Sequence, residues 1–210
     1  METIKSTVLG ELTQSKDWHD YWESALTEIP LFDNQKMKIT FVDFEPQLDT
    51  SFIEQADAAL VHFMKKDANY RLKISDVAYK NCMEFLNAIG YVERDKALWE
   101  MKEESEIWKF IYPEEINICR DYADETAIYI VIICECEWEQ EHGLQFVFKH
   151  GKRLIRVSAI DGQITDETIA PSQATTTIEN ELPTTEKNST KKDPIIVKKQ
   201  SWWKKFWSNS

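Results

Sequence analysis

Ala127-Ile128-Tyr129-Ile130-Val131-Ile132-Ile133-Cys134-Glu135-Cys136-Glu137-Trp138-Glu139-Gln140-Glu141-His142-Gly143-Leu144-Gln145 decides the fold of this chain. From Ala127 to Ile133 every position is apolar, so an extended segment there buries both faces, as a central strand covered on both sides does. The pattern then splits with a period of two. Cys134, Cys136 and Trp138 share one face, while Glu135, Glu137 and Glu139 line the other. The acidic face meets water or a partner, and the strand turns round near Gly143.

Further strands lie on either side of this run. Residues 144–149 and 153–160 are rich in Ile, Val and Phe, and His150-Gly151 between them is a tight-hairpin signal. Upstream, residues 116–120 and 126–138 read as strands. The opening reads as three short strands, 7–12, 21–28 and 36–44, with turn-forming Asp33-Asn34 before the last. Met37, Ile39 and Phe41 alternate with Lys36, Lys38 and Thr40, the period of a half-buried strand, and a meander is the economical arrangement.

Helix signals fill the middle. Ser51-Phe52-Ile53-Glu54 matches a capping box, after which Phe52, Ala56, Ala59, Leu60, Phe63 and Met64 fall on one helical face. A second amphipathic pattern runs through Ile74, Val77, Ala78, Cys82, Phe85, Leu86 and Ile89 to Gly90, a left-handed terminator. A third, weaker helix spans about 96–111 and stops before Pro113. The expected fold class is therefore α+β. An antiparallel sheet, built from the N-terminal meander and the C-terminal strands, packs against two or three helices and is followed by a disordered C-terminal tail.

Three segments follow from composition: a domain over 1–166, a Thr-, Ser-, Pro- and Lys-rich disordered linker over 167–197, and a basic aromatic tail over 198–210. The formal net charge is -12, and it is unevenly spread. Lys187 to Ser210 holds seven lysines against one aspartate, which leaves 18 basic and 36 acidic side chains in the first 186 residues. A body so acidic repels nucleic acid and anionic lipid, but steers a basic protein partner towards itself; the blander role of such a surface is solubility.

Cys82, Cys119, Cys134 and Cys136 sit in apolar segments and read as reduced core residues. Met1 to Gly10 has neither the basic start nor the apolar stretch of a secretory signal. The run 127–134 is far short of the roughly 20 residues that span a bilayer. The expected location is the cytoplasm.

Chemistry has few carriers. Glu139, Glu141, His142 and Asp161 supply carboxylates and an imidazole, the groups that share a divalent cation or shuttle a proton. Alternation places Glu139 and Glu141 together but leaves His142 at the turn, and no second well-spaced histidine completes a metal set. The structural alternative is a Glu and a His bonding loop backbone groups above a packed Trp138. Cys134-x-Cys136 followed by His142 and His150 lacks the second half of a structural zinc site. Ser158, His142 and Asp161 make a triad only on paper, because no nucleophile elbow surrounds Ser158. No metal and no cofactor is expected.

Ile107-Trp108 through Pro113, Ile116 and Arg120, then Cys136-Glu137-Trp138-Glu139-x-Glu141-His142-Gly143-Leu144-Gln145, then Gly151-x-x-Leu154 and Asp161-Gly162, resemble a bacterial domain-of-unknown-function family, family 6985. Leu9-Gly10-Glu11-Leu12, Pro30-Leu31-Phe32 and a strand ending Phe44-Glu45 fit as well, so the resemblance covers about 7–166. The family has no established activity. Related small acidic bacterial domains are often immunity-like or partner-binding, which the resemblance implies here only by association. It also implies a histidine after the Asp-Gly pair, where this chain has Gln163.

The expected function is a non-catalytic binding protein, immunity-like, that holds a basic partner on Glu135, Glu137 and Glu139. An acid/base or metal-dependent enzyme using Glu139, Glu141 and His142 is the alternative. In the tail, Trp202, Trp203, Phe206 and Trp207 suit the lipid headgroup level, while Lys198, Lys199, Lys204 and Lys205 face anionic lipid. The gross attraction is about 10 kcal/mol before ordering costs, enough for reversible attachment at the inner face of a membrane. Docking of the tail as a peptide on another protein is the other reading.

Overall fold

The apolar run at 127–134 forms an interior strand of an eight-stranded sheet and is buried on both faces. A computed structural model describes residues 2–121, 124–165 and 169. Its strands are β1 (Thr3–Ser6), β2 (Gly10–Gln14), β3 (Trp22–Glu23), β4 (Thr27–Ile29), β5 (Gln35–Met37), β6 (Ile39–Phe41), β7 (Ile111–Asp121), β8 (Asp124–Cys136), β9 (Leu144–Lys149) and β10 (Arg153–Ser158). Its helices are α1 (Phe52–Phe63), α2 (Ala68–Lys73), α3 (Ser75–Ile89) and α4 (Lys96–Trp99).

The sheet order is β1-β2-β3-β6-β7-β8-β9-β10, and β4 pairs with β5 in a separate ribbon. The fold is thus α+β, with an N-terminal meander joined to C-terminal strands. Every pair in the large sheet is antiparallel except one. β6 and β7 run parallel, Ile39 facing Ile116 and Phe41 facing Ile118. The reason is the connection: the helical segment between them is a crossover, which returns the chain in the same direction.

One face of the sheet is covered by helices, through Phe52, Ala56, Leu60 and Phe63 of α1 and Ala78, Cys82 and Leu86 of α3. The other face carries Tyr129, Val131, Ile133, Val147 and Ile155, and is closed by Tyr21, Val42, Ile160 and Ile164 with Trp18 against them. Among the described residues, loop segments cover this side. Ile169 is buried, and its N–H donates to the Ile155 carbonyl at 3.1 Å, so the packed body reaches past residue 166.

Several elements differ from the sequence expectation. Residues 7–12 are not one strand but the turn of a hairpin plus β2, because Asp57 of α1 accepts from the Ser6 hydroxyl and from the Thr7 N–H and hydroxyl. Residues 21–28 divide into β3 and β4, and 36–44 into β5 and β6. The Ser24 hydroxyl takes the Ile39 N–H at 3.0 Å where the ladder breaks. The β4–β5 turn does use Asp33 and Asn34, both at positive φ (53° and 63°).

The capping box does not form. Ser51 caps nothing with its side chain, which bonds Asp49 at 2.9 Å and accepts from Arg120. α2, capped by Asp67 on the Tyr70 N–H, was not foreseen. α3 ends at Gly90 as expected, but at φ 81° and ψ 175° the glycine lies outside the left-handed helical region. The third helix is broken into four-residue α4 and a 3-10 segment, Glu104–Phe110, after which β7 begins ahead of Pro113. Pro113 is tolerated there because β6 pairs only with Ile116 to Ile118, and the β7–β8 register slips between Pro113 and Glu115.

The β9–β10 hairpin turns through His150 (φ 53°) and Gly151 (φ 65°), with the Lys152 N–H donating to the Lys149 carbonyl at 3.1 Å. Its tip lies on α1. A Cβ at Gly151 would stand 1.9 Å from the Ala59 carbonyl oxygen.

Candidate functional site

The loop between β8 and β9 holds the residues that the sequence singled out. Trp138 is 3% exposed, packs in the helix-side core, and donates from Nε1 to the Asn81 side-chain oxygen of α3 at 3.2 Å. It thereby nails the end of β8 to α3. One residue on, the Glu139 carbonyl accepts the Gly143 N–H at 3.0 Å, and its carboxylate accepts the His142 N–H at 3.3 Å. The His142 ring nitrogen Nδ1 lies 3.3 Å from the same carboxylate oxygen.

Gly143 closes the turn at φ 68°, and a Cβ there would sit 2.8 Å from the Cys134 carbonyl oxygen. Positive φ and contact with backbone both demand glycine. Leu144 returns to the core and Gln145 is wholly buried. Gln145 Nε2 faces four acceptors: Ser158 Oγ, Asp161 Oδ1 and the Gln163 carbonyl at 3.1 Å, and the Ala159 carbonyl at 3.3 Å. Arg156 binds Ser158 Oγ at 2.8 Å and the Asp161 carboxylate.

These contacts sort the candidates. Glu139 and His142 are brought together, and Glu141 is exposed. Asp161 is committed to Arg156, Gln145 and the Gln163 N–H, where it ties the 159–163 segment to β9 and β10. The Ser158 hydroxyl donates to the Ala159 carbonyl at 2.8 Å and accepts from Arg156, so it is not poised beside His142 as a nucleophile. Of the four acid/base candidates, Glu139 and His142 thus pair in the loop, Asp161 belongs to the cluster of Arg156 and Gln145, and Glu141 is exposed. The loop's arrangement is that of a staple: Trp138 on α3, Glu139 on loop backbone, Gly143 under β8, and Gln145 on the closing segment.

Cys134 and Cys136 point inward beside one another, as the alternation requires. Burial pushes the Cys136 thiol up to about 12 and holds Cys134 well above the usual thiol range, so neither is a ready thiolate. Among the described residues no group of three His, Cys, Asp or Glu side chains is placed to hold a metal ion.

The acidic face takes a different form from the expected one. Glu135 and Glu137 are exposed, opposite in sense to buried Cys134, Cys136 and Trp138. Glu139 does not continue their row, since its side chain is 16% exposed and turned onto His142. Its place is taken by Glu114, which the β7 bulge brings beside Glu135. Partial burial first, then the carboxylates of Glu135 and Glu115, hold Glu114 above the usual carboxylate range. Tyr112, half exposed and in register with Glu135, donates its hydroxyl to Glu137 at 2.6 Å. Sequence reasoning missed Glu114 and Tyr112 because only the β7–β8 register assigns them to this face. Among the described residues no basic side chain pairs with Glu114, Glu135 or Glu137.

Lys198, Lys199, Trp202, Trp203, Lys204, Lys205, Phe206 and Trp207 lie outside the described residues, as does most of the linker. No helix among the described residues is long and apolar enough to cross a membrane. A family model for a domain of unknown function, DUF6985, matches residues 8–164. No curated protein and no solved structure matches the chain.

Proposed function

The chain belongs to the DUF6985 family, whose description carries no activity, and on that footing we propose a non-catalytic binding protein that receives a basic protein partner on Glu114, Glu135 and Glu137. The observation that carries this reading is uncompensated charge. Three carboxylates crowd one exposed strand face, no cation among the described residues lies against them, and burial first, then the neighbouring carboxylates, holds Glu114 above the usual carboxylate range. A partner's lysines or arginines relieve that repulsion, and Tyr112 offers a half-exposed ring for a cation to rest on. A toxin with a basic face is the partner that an immunity-like role requires.

Decalysine is a suitable probe. Changing Glu114, Glu135 and Glu137 together to Gln should weaken its binding about tenfold at low salt, from roughly 0.5 kcal/mol for each exposed charge, and flatten the salt dependence. Equal binding by the variant, or affinity indifferent to salt, removes the row from the function. Fluorescence titration at two ionic strengths decides it.

The basic aromatic segment 198–210 adds reversible attachment to anionic membrane in this proposal, on the strength of its composition. Replacing Trp202, Trp203 and Trp207 by Ala, or the four lysines Lys198, Lys199, Lys204 and Lys205 by Gln, should each release the protein from phosphatidylserine-containing vesicles in a sedimentation assay. The melting temperature of the body should stay unchanged. Sedimentation of a chain ending at Val197 as complete as that of the full chain would leave the segment as a peptide ligand instead.

A further inference from the structure

Lys66, in the short link between α1 and α2, is 9% exposed, an unusual depth for a lysine. Its Nζ lies 4.2 Å from the centre of the Tyr70 ring and 5.8 Å from that of Phe148, a fully buried core residue of β9. Phe63 stacks edge-on against Phe148 at 5.5 Å and completes the apolar wall. Among the described residues no carboxylate pairs with this nitrogen, and the neighbouring Asp67 is spent on capping α2. Nζ is nevertheless not fully sealed from solvent.

Two aromatic faces partly offset the charge, but they replace neither water nor a counter-ion. Burial alone lowers the Lys66 amine to about 8, with no neighbouring charge contributing. A minor but appreciable fraction of the side chain is then neutral near physiological pH, and a neutral amine is a nucleophile. The exposed Lys65 next to it has no such niche.

We infer that Lys66 is a modification site of this protein, an amine placed to be acylated by small acyl phosphates. In the reaction the Nζ lone pair forms a bond to the carbonyl carbon, and the bond from that carbon to the phosphate oxygen breaks. Inorganic phosphate leaves with the electron pair, and the proton shed by nitrogen passes to water. No oxidant or reductant takes part. The product amide is neutral, so modification removes the one charge that the niche disfavours.

The test treats the full chain with acetyl phosphate near neutral pH and follows each lysine by peptide mass spectrometry. Lys66 should be acetylated ~10-fold faster than the exposed Lys65, because burial enlarges the neutral fraction of Lys66 by more than it costs the nitrogen in basicity. Its rate should level off just above pH 8. In concentrated urea the two lysines should react alike. Equal rates in the folded chain, a Lys66 rate still climbing at high pH, or a preference that survives urea would each overturn the assignment.

Discussion

Gly151→Ala is expected to lower the stability of the folded body by about 3 to 5 kcal/mol, a large part of what holds a domain of this size together. The added Cβ meets not a side chain that swings aside but the backbone of α1: the Ala59 carbonyl oxygen at 1.9 Å, the Ala59 carbonyl carbon at 2.8 Å and the Phe63 nitrogen at 3.2 Å. Either the hairpin lifts from the helix or the helix bends, and each course opens the core around Phe63 and Phe148. Gly10 provides the control. It has φ 80°, but nothing lies within 4 Å of its Cβ position, so Gly10→Ala should cost only about 1 kcal/mol from backbone strain. Urea midpoints measure both. Equal shifts for the two variants would show that the hairpin is not pressed against α1.

Trp138→Ala should cost about 3 to 5 kcal/mol, since it empties a large buried volume and strands the Asn81 amide that the indole now satisfies. Trp138→Phe retains most of the volume and loses only the bond, for roughly 1 kcal/mol. Glu141→Gln, at an exposed position of the same loop, should leave the midpoint within about 0.5 kcal/mol of the parent. This gradient is that of a structural staple, in which the indole holds the fold and the exposed charge does not. A Trp138→Ala midpoint equal to that of the parent would refute the staple.

The C-terminal half was legible because its signals are local. Strand periodicity, a two-faced apolar run, His150-Gly151 and Gly143 each act within a few residues of themselves. The same holds for the faces of α1 and α3, where Ala56, Leu60, Ala78, Cys82 and Leu86 are buried as their spacing implies. What failed depends on distant partners. The Asp57 carboxylate that makes residues 7–9 a turn is some fifty positions away, and Arg120 takes the Ser51 hydroxyl that a capping box would have used. The broken third helix follows the same rule: Ile107 is buried and Trp108 reaches the Ser75 hydroxyl at 2.8 Å, a contact that a tighter 3-10 path satisfies.

The candidate site divides along the same line. Alternation correctly exposed Glu135 and Glu137, but it was extended one residue too far, because β8 ends at Cys136 and Glu139 already belongs to the loop. Glu114 entered the acidic face through a bulge, whose extra residue no periodicity announces.

The single parallel seam between β6 and β7 also sets an order of events during synthesis. Strands β1 to β6 and helices α1 to α4 leave the ribosome before any of the sheet's long strands exist. Until Ile118 has emerged, the outer edge of β6 has no neighbour, and the apolar faces of α1 and α3 have no completed sheet to cover. The nascent chain therefore passes through a stage with an open strand edge and bare helix faces, the surfaces on which partly made chains associate with one another or are held by chaperones.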